Sequence, residues 1–595
     1  MSGGASKRIF VVSLLLGLAF TGFSWRLIYL QVGRHEYYLA KAEEKHVARK
    51  PIHARRGMIQ DVNGEVLAQD EPMKVVVADG SLLQNHEAVA EVLSSELAMD
   101  RGSVLAKLKT RRVSKEKGVE ADPSRYIVIH RKVPEDVAGR IEARLSQGRL
   151  RGVRFEPDSD RVYPNGQLLC HVVGYVNGEG KGVEGIERNF EMFLKGQDGF
   201  RFIERDRRGA ELMMFRRQER PAHNGDNVRL TVDLGFQQIV ERELEDACKY
   251  YKPKMAVAVF MRPQTGEVLA MANRPGFDPG DIEKSPMDAR RNRAITDMVE
   301  PGSTFKIVTT AAALQQKLVN IDTTIFCENG HFLYAGTMLK DHHNYGDLSV
   351  GDILVKSSNI GVAKLGLQLG DHRLYEYIRR FGFGERTGIN LPGEIAATVH
   401  PPHRWTKISV THVPMGHEVT ATPLQVVAAM AAVANGGKLM MPQIVREVTD
   451  SEGNVVRGFE PTEVRQAITP QVSATVRGAL VDVVKRGTAK AAAVKGFTVA
   501  GKTGTAQKLG ANGTYEHKYV VSFVGFMPAE DPQFVGLVMI DDAQGIPSNT
   551  NTGGGVCAPI FSKIADKAAR YLNLTPSSES SGSGPSMAHS EPIRK

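Results

Sequence analysis

Cysteine is scarce. Four cysteines, Cys170, Cys248, Cys327 and Cys557, are scattered through 595 residues. None forms a C-x-x-C pair, which excludes zinc-ribbon and thioredoxin-like readings, and the set is no disulfide framework. A single bridge stays open, including one between Cys248 and Cys327, but spacing does not assign it. Concentrated charge of one sign is also missing. The 76 basic residues face 67 acidic ones, and the net charge of +9 is spread along the chain. No nucleic-acid fold pattern accompanies that excess, so no nucleic-acid partner is expected. A basic exterior beside an anionic bilayer or wall accounts for it equally well. Metal-ligand spacing is absent too. "LKDHHNYGD" groups Asp341, His342 and His343, but two adjacent histidines do not easily ligate one metal from a regular element, and no zinc pattern fits. The stretch reads as a loop, and no metal or cofactor is expected.

Long hydrophobic runs are missing everywhere but the N-terminus. There "KRIFVVSLLLGLAFTGFSWRLIYLQV" places Lys7 and Arg8 before residues 9–25, 17 positions without a charge. Arg26 interrupts, and the run resumes to Leu30. This is the short end of a membrane span, with Arg26 able to snorkel to the headgroups. No small-x-small cleavage site follows, so the reading is an uncleaved single anchor over residues 9–30 rather than a signal peptide. Arg26 and Arg34 dilute the flanking bias, so charge alone does not orient it.

The rest has globular composition, 42% hydrophobic and 24% charged, and a length for roughly two to four domains. Residues 37–50 read as a helix leaving the membrane. From 51 to about 221 the pattern is mixed, with strand-like runs such as "MKVVVADG" and "RYIVIH". Near Asn224 it changes. "NVRLTVDLGFQQIVERELEDACKYY" predicts a strand and an amphipathic helix, and "MAVAVFMRPQTGEVLAMANR" a hairpin turning at Gln264, Thr265 and Gly266. "TPLQVVAAMAAVANGG" predicts a helix closed by Gly436 and Gly437. "KYVVSFVGFMPAEDPQFVGLVMIDD" predicts a strand pair turned at 529–531, and "APIFSKIADKAARYL" a closing helix. Strands at both ends with helices between give an α/β (α+β) domain, its sheet mainly antiparallel and covered by helices. Residues 574–595 read as a low-complexity, disordered tail.

Three short stretches of that domain carry the chemistry. "EPGSTFKIV" holds Ser303 with Lys306 one turn on; "LVKSSNIGVAKLG" holds Ser357 and Asn359; "VAGKTGTAQ" holds Lys502, Thr503, Gly504 and Thr505. The bland readings are a capping serine, loop polar residues and a solvated lysine. The S-x-x-K spacing alone is weak, since Ser114 and Lys117 match it in a charged stretch. Order decides. S-x-x-K, S-x-N and K-T-G follow one another, 54 and then 145 positions apart, as in active-serine enzymes. A serine hydroxyl needs an adjacent base, and Lys306 on the same helix face reaches it once burial and a nearby cation, Lys502, favour its neutral form. Ser357 can relay a proton to the leaving amine, and Asn359 can hold Lys306 and a substrate amide. Thr503, Thr505 and Lys502 suit a carboxylate, and the N–H groups of Ser303 and Thr505 suit an oxyanion hole. Gly501, before the K-T-G run, reads as space for a ligand on an edge strand.

With these motifs the chain resembles a class B, monofunctional penicillin-binding protein. "RRGMIQDVNGEVLA", "RVYPNG" and "GVEGIERNF" match the family's amino-terminal region, and "RGTAKAAAVKGFTVAGKTGTAQ" its transpeptidase domain. The resemblance implies a cytoplasmic segment (1–8), the anchor (9–30), a pedestal or dimerisation-type domain outside the cytoplasm (31–221) and a transpeptidase domain (222–573). It implies a peptidoglycan D,D-transpeptidase that cross-links D-Ala-D-Ala stem peptides through a Ser303 acyl-enzyme and is acylated by β-lactams. "YVVSFVGFMPAEDPQFVGLVMIDD" is closer to the septal, FtsI-type enzymes, while "MGHEVTATPLQ" departs from their usual wording. The septal likeness implies a SEDS-type glycan polymerase and other divisome membrane proteins as partners. Elongation or sporulation subtypes are the alternatives, as is a non-catalytic sensor of β-lactam or stem peptide. A bifunctional enzyme would need an acidic E-D-x-x-F-like motif before Asn224, which is lacking. A class A β-lactamase would need a positioned glutamate and no pedestal.

Overall fold

The structure is a computed structural model that describes residues 3–38, 47–111, 123–204, 217–509, 515–547 and 550–576. The second S-x-x-K match, Ser114 and Lys117, and nearly all of the expected tail lie outside the described residues. Contacts divide the chain into two units, Met1–Arg55 with Gly196–Gly225, and Arg56–Lys195 with Asp226–Lys595.

The first unit holds the N-terminal helix Gly3–Ile28, which runs into a π-helical turn at Tyr29–Gly33. Its Ile9–Gly33 stretch, 25 residues with mean hydropathy 1.7 and no buried side chain, is long and apolar enough to cross a membrane. The expected helix over residues 37–50 does not continue as read. Val47–Ile52 is a strand, paired antiparallel with Gly199–Glu204, which in turn pairs with Arg217–Arg220. Pro51 biases Lys50 away from the helical region, and a partner strand more than a hundred residues away takes up the backbone groups. Residues 39–46 lie outside the described residues.

In the second unit, seven strands share one sheet in the order Val455–Gly458, Val445–Thr449, Asn227–Leu230, Ile59–Gln60, Val66–Ala78 and Ile127–Pro134, with Val153–Val162 on the other side of Val66–Ala78. One pair in it, Ile59–Gln60 with Asn227–Leu230, is parallel. The three amino-terminal motifs meet on one buried carboxylate. Arg56 Nε donates to Glu187 Oε2 at 2.6 Å, Arg161 Nε donates to Glu187 Oε1 at 2.7 Å, and Arg161 Nη1 reaches Asp70 at 3.2 Å. Glu187 is fully buried, and Asp70 on Arg161 and Glu191 on Arg56, 2.7 Å from its Nη2, supply the further negative charge that two guanidiniums need, so each buried ion has an opposite partner.

The other large sheet has five strands, β1 (Met255–Met261), β2 (Val268–Arg274), β3 (Ala500–Leu509), β4 (Tyr515–Met527) and β5 (Phe534–Asp541), in the order β2-β1-β5-β4-β3 with every pair antiparallel. Seven helices matter for the site: α1 (Leu234–Tyr251), α2 (Lys306–Gln315), α3 (Val350–Lys356), α4 (Asn359–Arg380), α5 (Pro423–Ala434), α6 (Pro470–Arg486) and α7 (Ala558–Tyr571). Strand alternation assigns them to faces. Phe523 of β4 packs on Phe561 of α7, and Phe236 of α1 on Phe260 of β1. The next residue, Val524, lines a small cavity with Phe305, Val426 and Met430 on the opposite face. So α1 and α7 cover one side, α2 and α5 the other, as the mainly antiparallel, helix-covered α/β reading expects. All twelve residues of α5 are buried, which explains an apolar run with no polar stripe. Its Thr422–Gln425 capping box starts it, and Gly436 and Gly437 with positive φ follow its end. The strand β3 lies at the sheet edge, as its sequence suggested. Gly501 serves a different purpose from the one expected. A Cβ there would meet the Phe523 ring at 2.4 Å and the Val524 carbonyl at 2.8 Å, so the missing side chain makes room for the neighbouring strand and not for a ligand. The cysteines Cys170, Cys248, Cys327 and Cys557 are all free thiols.

Candidate active site

Pro301 and Gly302 lead into a 3₁₀ turn, Gly302–Phe305, that runs straight into α2. Neither the turn nor α2 has a side-chain cap. The half-buried Ser303 hydroxyl is therefore not engaged in capping the helix, which was the bland reading of this stretch. Gly302 takes φ +54°, and its N–H donates to the Gly416 carbonyl at 3.2 Å. Gly416 sits at φ +86°, where a Cβ would fall 2.2 Å from the Gly302 oxygen. Two glycines in left-handed conformations thus let the serine turn and the 413–416 turn touch backbone to backbone. Glu300 adds a clamp: it accepts from the Glu418 N–H at 3.0 Å and lies 2.9 Å from His417 Nδ1.

Lys306 opens α2 and is fully buried. Its Nζ lies 2.5 Å from the Ser357 carbonyl, 2.7 Å from Asn359 Oδ1 and 3.2 Å from Ser357 Oγ. All three acceptors are neutral. Ser357 ends α3 in the left-handed region, φ 60° and ψ 40°, a costly conformation for a residue with a Cβ and one that clusters at functional sites. It presents both its carbonyl and its hydroxyl to Lys306. From the sheet side Lys502, also fully buried, donates to Ser357 Oγ at 2.9 Å and to its neighbour's carbonyl at 3.3 Å. Ser357 Oγ therefore lies between two lysine nitrogens. Burial first, and then the charge of Lys502, hold the Lys306 amine well below the ordinary lysine range, while Asp341 opposes them. Burial lowers Lys502 to about 7.

The K-T-G run packs against the serine turn. A Cβ on Gly504 would meet Ser522 Oγ at 2.4 Å and Thr304 Cγ2 at 3.0 Å, and one on Gly302 would lie 3.1 Å from the Thr505 carbonyl. Thr503 Oγ1 lies 2.9 Å from Thr488 Oγ1, and Thr505 Oγ1 accepts from the Gly553 N–H at 3.3 Å. The eight positions singled out in the sequence are thus brought to one place: Ser303, Lys306, Ser357, Asn359, Lys502, Thr503, Gly504 and Thr505.

Other contributors were not foreseen. Thr488 and Gly553 hold the K-T-G hydroxyls, and Gly416 backs the serine turn. Asp341, weighed only as a metal ligand, instead accepts from Ser358 Oγ at 2.6 Å and from the N–H groups of Asn359 and Ile360 at 2.5 and 3.1 Å. Its signal in the sequence was an acidic residue ahead of an S-x-N motif, and nothing local linked the two. His342 beside it keeps part of its surface in solvent, and desolvation of its inner side first, then the charge of Lys306, lowers its proton affinity. Among the described residues no cluster of three or more His, Cys, Asp or Glu side chains is arranged to hold a metal.

Residues 256–566 match the family model for the penicillin binding protein transpeptidase domain, and residues 51–230 that for the penicillin-binding protein dimerisation domain. Stage V sporulation protein D of Bacillus subtilis is 34% identical over 574 residues, spanning 96% of this chain and 86% of that protein. Peptidoglycan D,D-transpeptidase FtsI of Escherichia coli is 32% identical over 577 residues, spanning 96% of this chain and 92% of that protein. Among solved structures, penicillin binding protein 3 of Mycobacterium tuberculosis, complexed with aztreonam, superposes with a TM-score of 0.68 at 26% identity over 89% of this chain and 98% of that one. A peptidoglycan synthetase from Bifidobacterium adolescentis gives 0.71 at 27% identity over the same shares, 89% and 98%. With family models matching residues 51–230 and 256–566 and relatives of this identity over nearly all of it, the chain belongs to the class B penicillin-binding proteins, the peptidoglycan D,D-transpeptidases.

Proposed function

We propose that Ser303 is the acylated nucleophile and that the enzyme works in septal wall synthesis during cell division. The observation that carries the chemistry is the pair of buried lysines converging on Ser357 Oγ. A neutral Lys306 has two N–H donors and one lone pair. The Ser357 carbonyl and Asn359 Oδ1 take the donors, which leaves the lone pair for a hydroxyl proton. Ser303 Oγ attacks the carbonyl of the penultimate D-Ala, and its proton goes to Lys306. The N–H groups of Ser303 and Thr505 hold the oxyanion. As the C–N bond breaks, Ser357 relays the proton to the departing D-Ala amine. The acceptor amine then attacks the ester, Lys306 takes up its proton, and that proton returns to Ser303 Oγ as the ester C–O bond breaks and the free serine is restored. Lys502, Thr503 and Thr505 receive the terminal carboxylate of the donor, and Gly504 keeps the strand close enough to do so. A β-lactam is opened by the same attack and stays on Ser303.

The anchor at 9–30 holds the pedestal (31–221) and the transpeptidase domain (222–573) outside the cytoplasm, where stem peptides are. A SEDS-type glycan polymerase and other divisome membrane proteins are the partners this placement calls for. The FtsI relative supports the septal reading. The name of the Bacillus relative, stage V sporulation protein D, favours a second one, a sporulation enzyme. A fluorescent fusion separates them. Mid-cell enrichment in growing cells is expected; signal confined to sporulating cells would favour the second, and a dispersed lateral pattern would contradict both. For the chemistry, a D-Ala-D-Ala thioester analogue with an added D-amino acid should yield the exchanged product. Binding without transfer would mean a sensor rather than a catalyst.

The two-glycine contact gives a further expectation. In Gly416→Ala the new methyl must push the Gly302 backbone aside, and displacing a reacting group by about 1 Å costs on the order of 100-fold. Fluorescent-penicillin labelling should slow by about 10- to 100-fold. A wild-type labelling rate would show that the serine turn does not depend on this contact.

A further inference from the structure

The active-site turn is held by a residue outside all three motifs. We propose that Asp341 is a positioning residue: its carboxylate clamps the Ser357–Asn359 turn around Lys306 and supplies the negative charge acting on that lysine. The inference rests on the reading of Lys306 as proton acceptor. The clamp has several parts. One Asp341 oxygen takes the N–H groups of Asn359 and Ile360, at 2.5 and 3.1 Å, and the other takes the Ser358 hydroxyl at 2.6 Å. Ser358 Oγ in turn accepts from the Gly361 N–H at 2.9 Å. So a carboxylate from a separate loop satisfies the first turn of α4, where a negative charge is favoured. The preceding residue completes it. The Lys340 carbonyl accepts from Asn359 Nδ2 at 2.9 Å, which turns Asn359 Oδ1 toward Lys306 Nζ, 2.7 Å away. Residues 340 and 341 together fix the Asn359 amide and the backbone on either side of it. Ser357, in its left-handed conformation, directly precedes the three residues they hold.

The charged groups acting on Lys306 are few. Lys502 repels a proton there, and Asp341 attracts one; His342, exposed beside Asp341, feels both lysines. Removing the Asp341 charge should therefore make Lys306 easier to deprotonate and move the acidic limb of acylation to lower pH. A residue that merely holds the loop would change the rate without moving that limb.

The test is the rate of acylation by a fluorescent penicillin between about pH 5 and 9, with melting temperatures, in the full-length protein. Asp341→Asn keeps one acceptor oxygen and loses the charge. Its acidic limb should shift down by about one unit with a melting temperature near that of the wild type. Asp341→Ala frees the turn, and its maximal rate should fall about 10- to 100-fold. A limb that superimposes on the wild type in Asp341→Asn overturns the electrostatic part, whether or not Asp341→Ala folds. A folded Asp341→Ala with the wild-type rate overturns the clamp. Ser303→Ala in the same assay separates the two levels: if it labels like the wild type, the reading of the nucleophile fails, and if it does not label, the Asp341 result stands on its own.

Discussion

Lys306→Met is expected to lower the rate of acylation by a β-lactam by about 10³-fold or more, the upper part of the range for a lost proton acceptor. The methionine fills most of the space and removes only the nitrogen. Lys306→Arg should fail as badly, because a guanidinium does not deprotonate in proteins. In the wild type the rate should climb with pH as Lys306 loses its proton. It should then fall as Lys502, lowered to about 7, loses the charge proposed to draw the substrate carboxylate. The result is a bell, with its acidic side belonging to Lys306 and missing from the variant. Stability carries the same signature with a definite sign. Both lysines are depressed in the folded state, so above the folded values and up to the ordinary value of 10.5 the unfolded chain binds more protons. Unfolding free energy therefore rises with pH in that window. The gain should be smaller in Lys306→Met, read as a flatter climb of melting temperature from pH 7 to 10. An unchanged pH profile of acylation in the variant would assign the base elsewhere.

Ser303→Ala is the second large effect. Covalent labelling by penicillin should vanish, and thioester turnover with it, while the fold is kept. The hydroxyl caps no helix and is only half-buried, and such a side chain contributes little to stability. A melting temperature within a few degrees of the wild type, with no label, separates loss of the nucleophile from loss of the structure. Equal labelling of variant and wild type would remove Ser303 from the mechanism.

What could be read in advance follows from how local each signal is. The hairpin at Gln264, Thr265 and Gly266, the end of α5 at Gly436 and Gly437 and the β4–β5 turn are written in neighbouring residues, and each appears where the sequence placed it. The S-x-x-K, S-x-N and K-T-G stretches were legible because three weak patterns in a fixed order are stronger than any one of them. The misreadings are non-local. Residues 47–50 looked helical until Gly199–Glu204 offered a partner strand. Gly501 looked like space for a ligand, but the space goes to Phe523 from the adjoining strand. Asp341 binds a turn 17 to 19 residues away, and Gly416 meets Gly302 across more than a hundred positions. Nothing in a single sequence marks such contacts, because the residues needed to recognise them become neighbours only on folding.

The central claim is that Ser303 carries the acyl group. The most direct measurement is mass spectrometry of the full-length protein after brief exposure to penicillin, with the modified peptide sequenced. One added penicillin per chain, on Ser303 in the peptide containing Lys306, is the predicted result. An adduct on any other serine, Ser114 included, or an adduct that persists in Ser303→Ala, would contradict it.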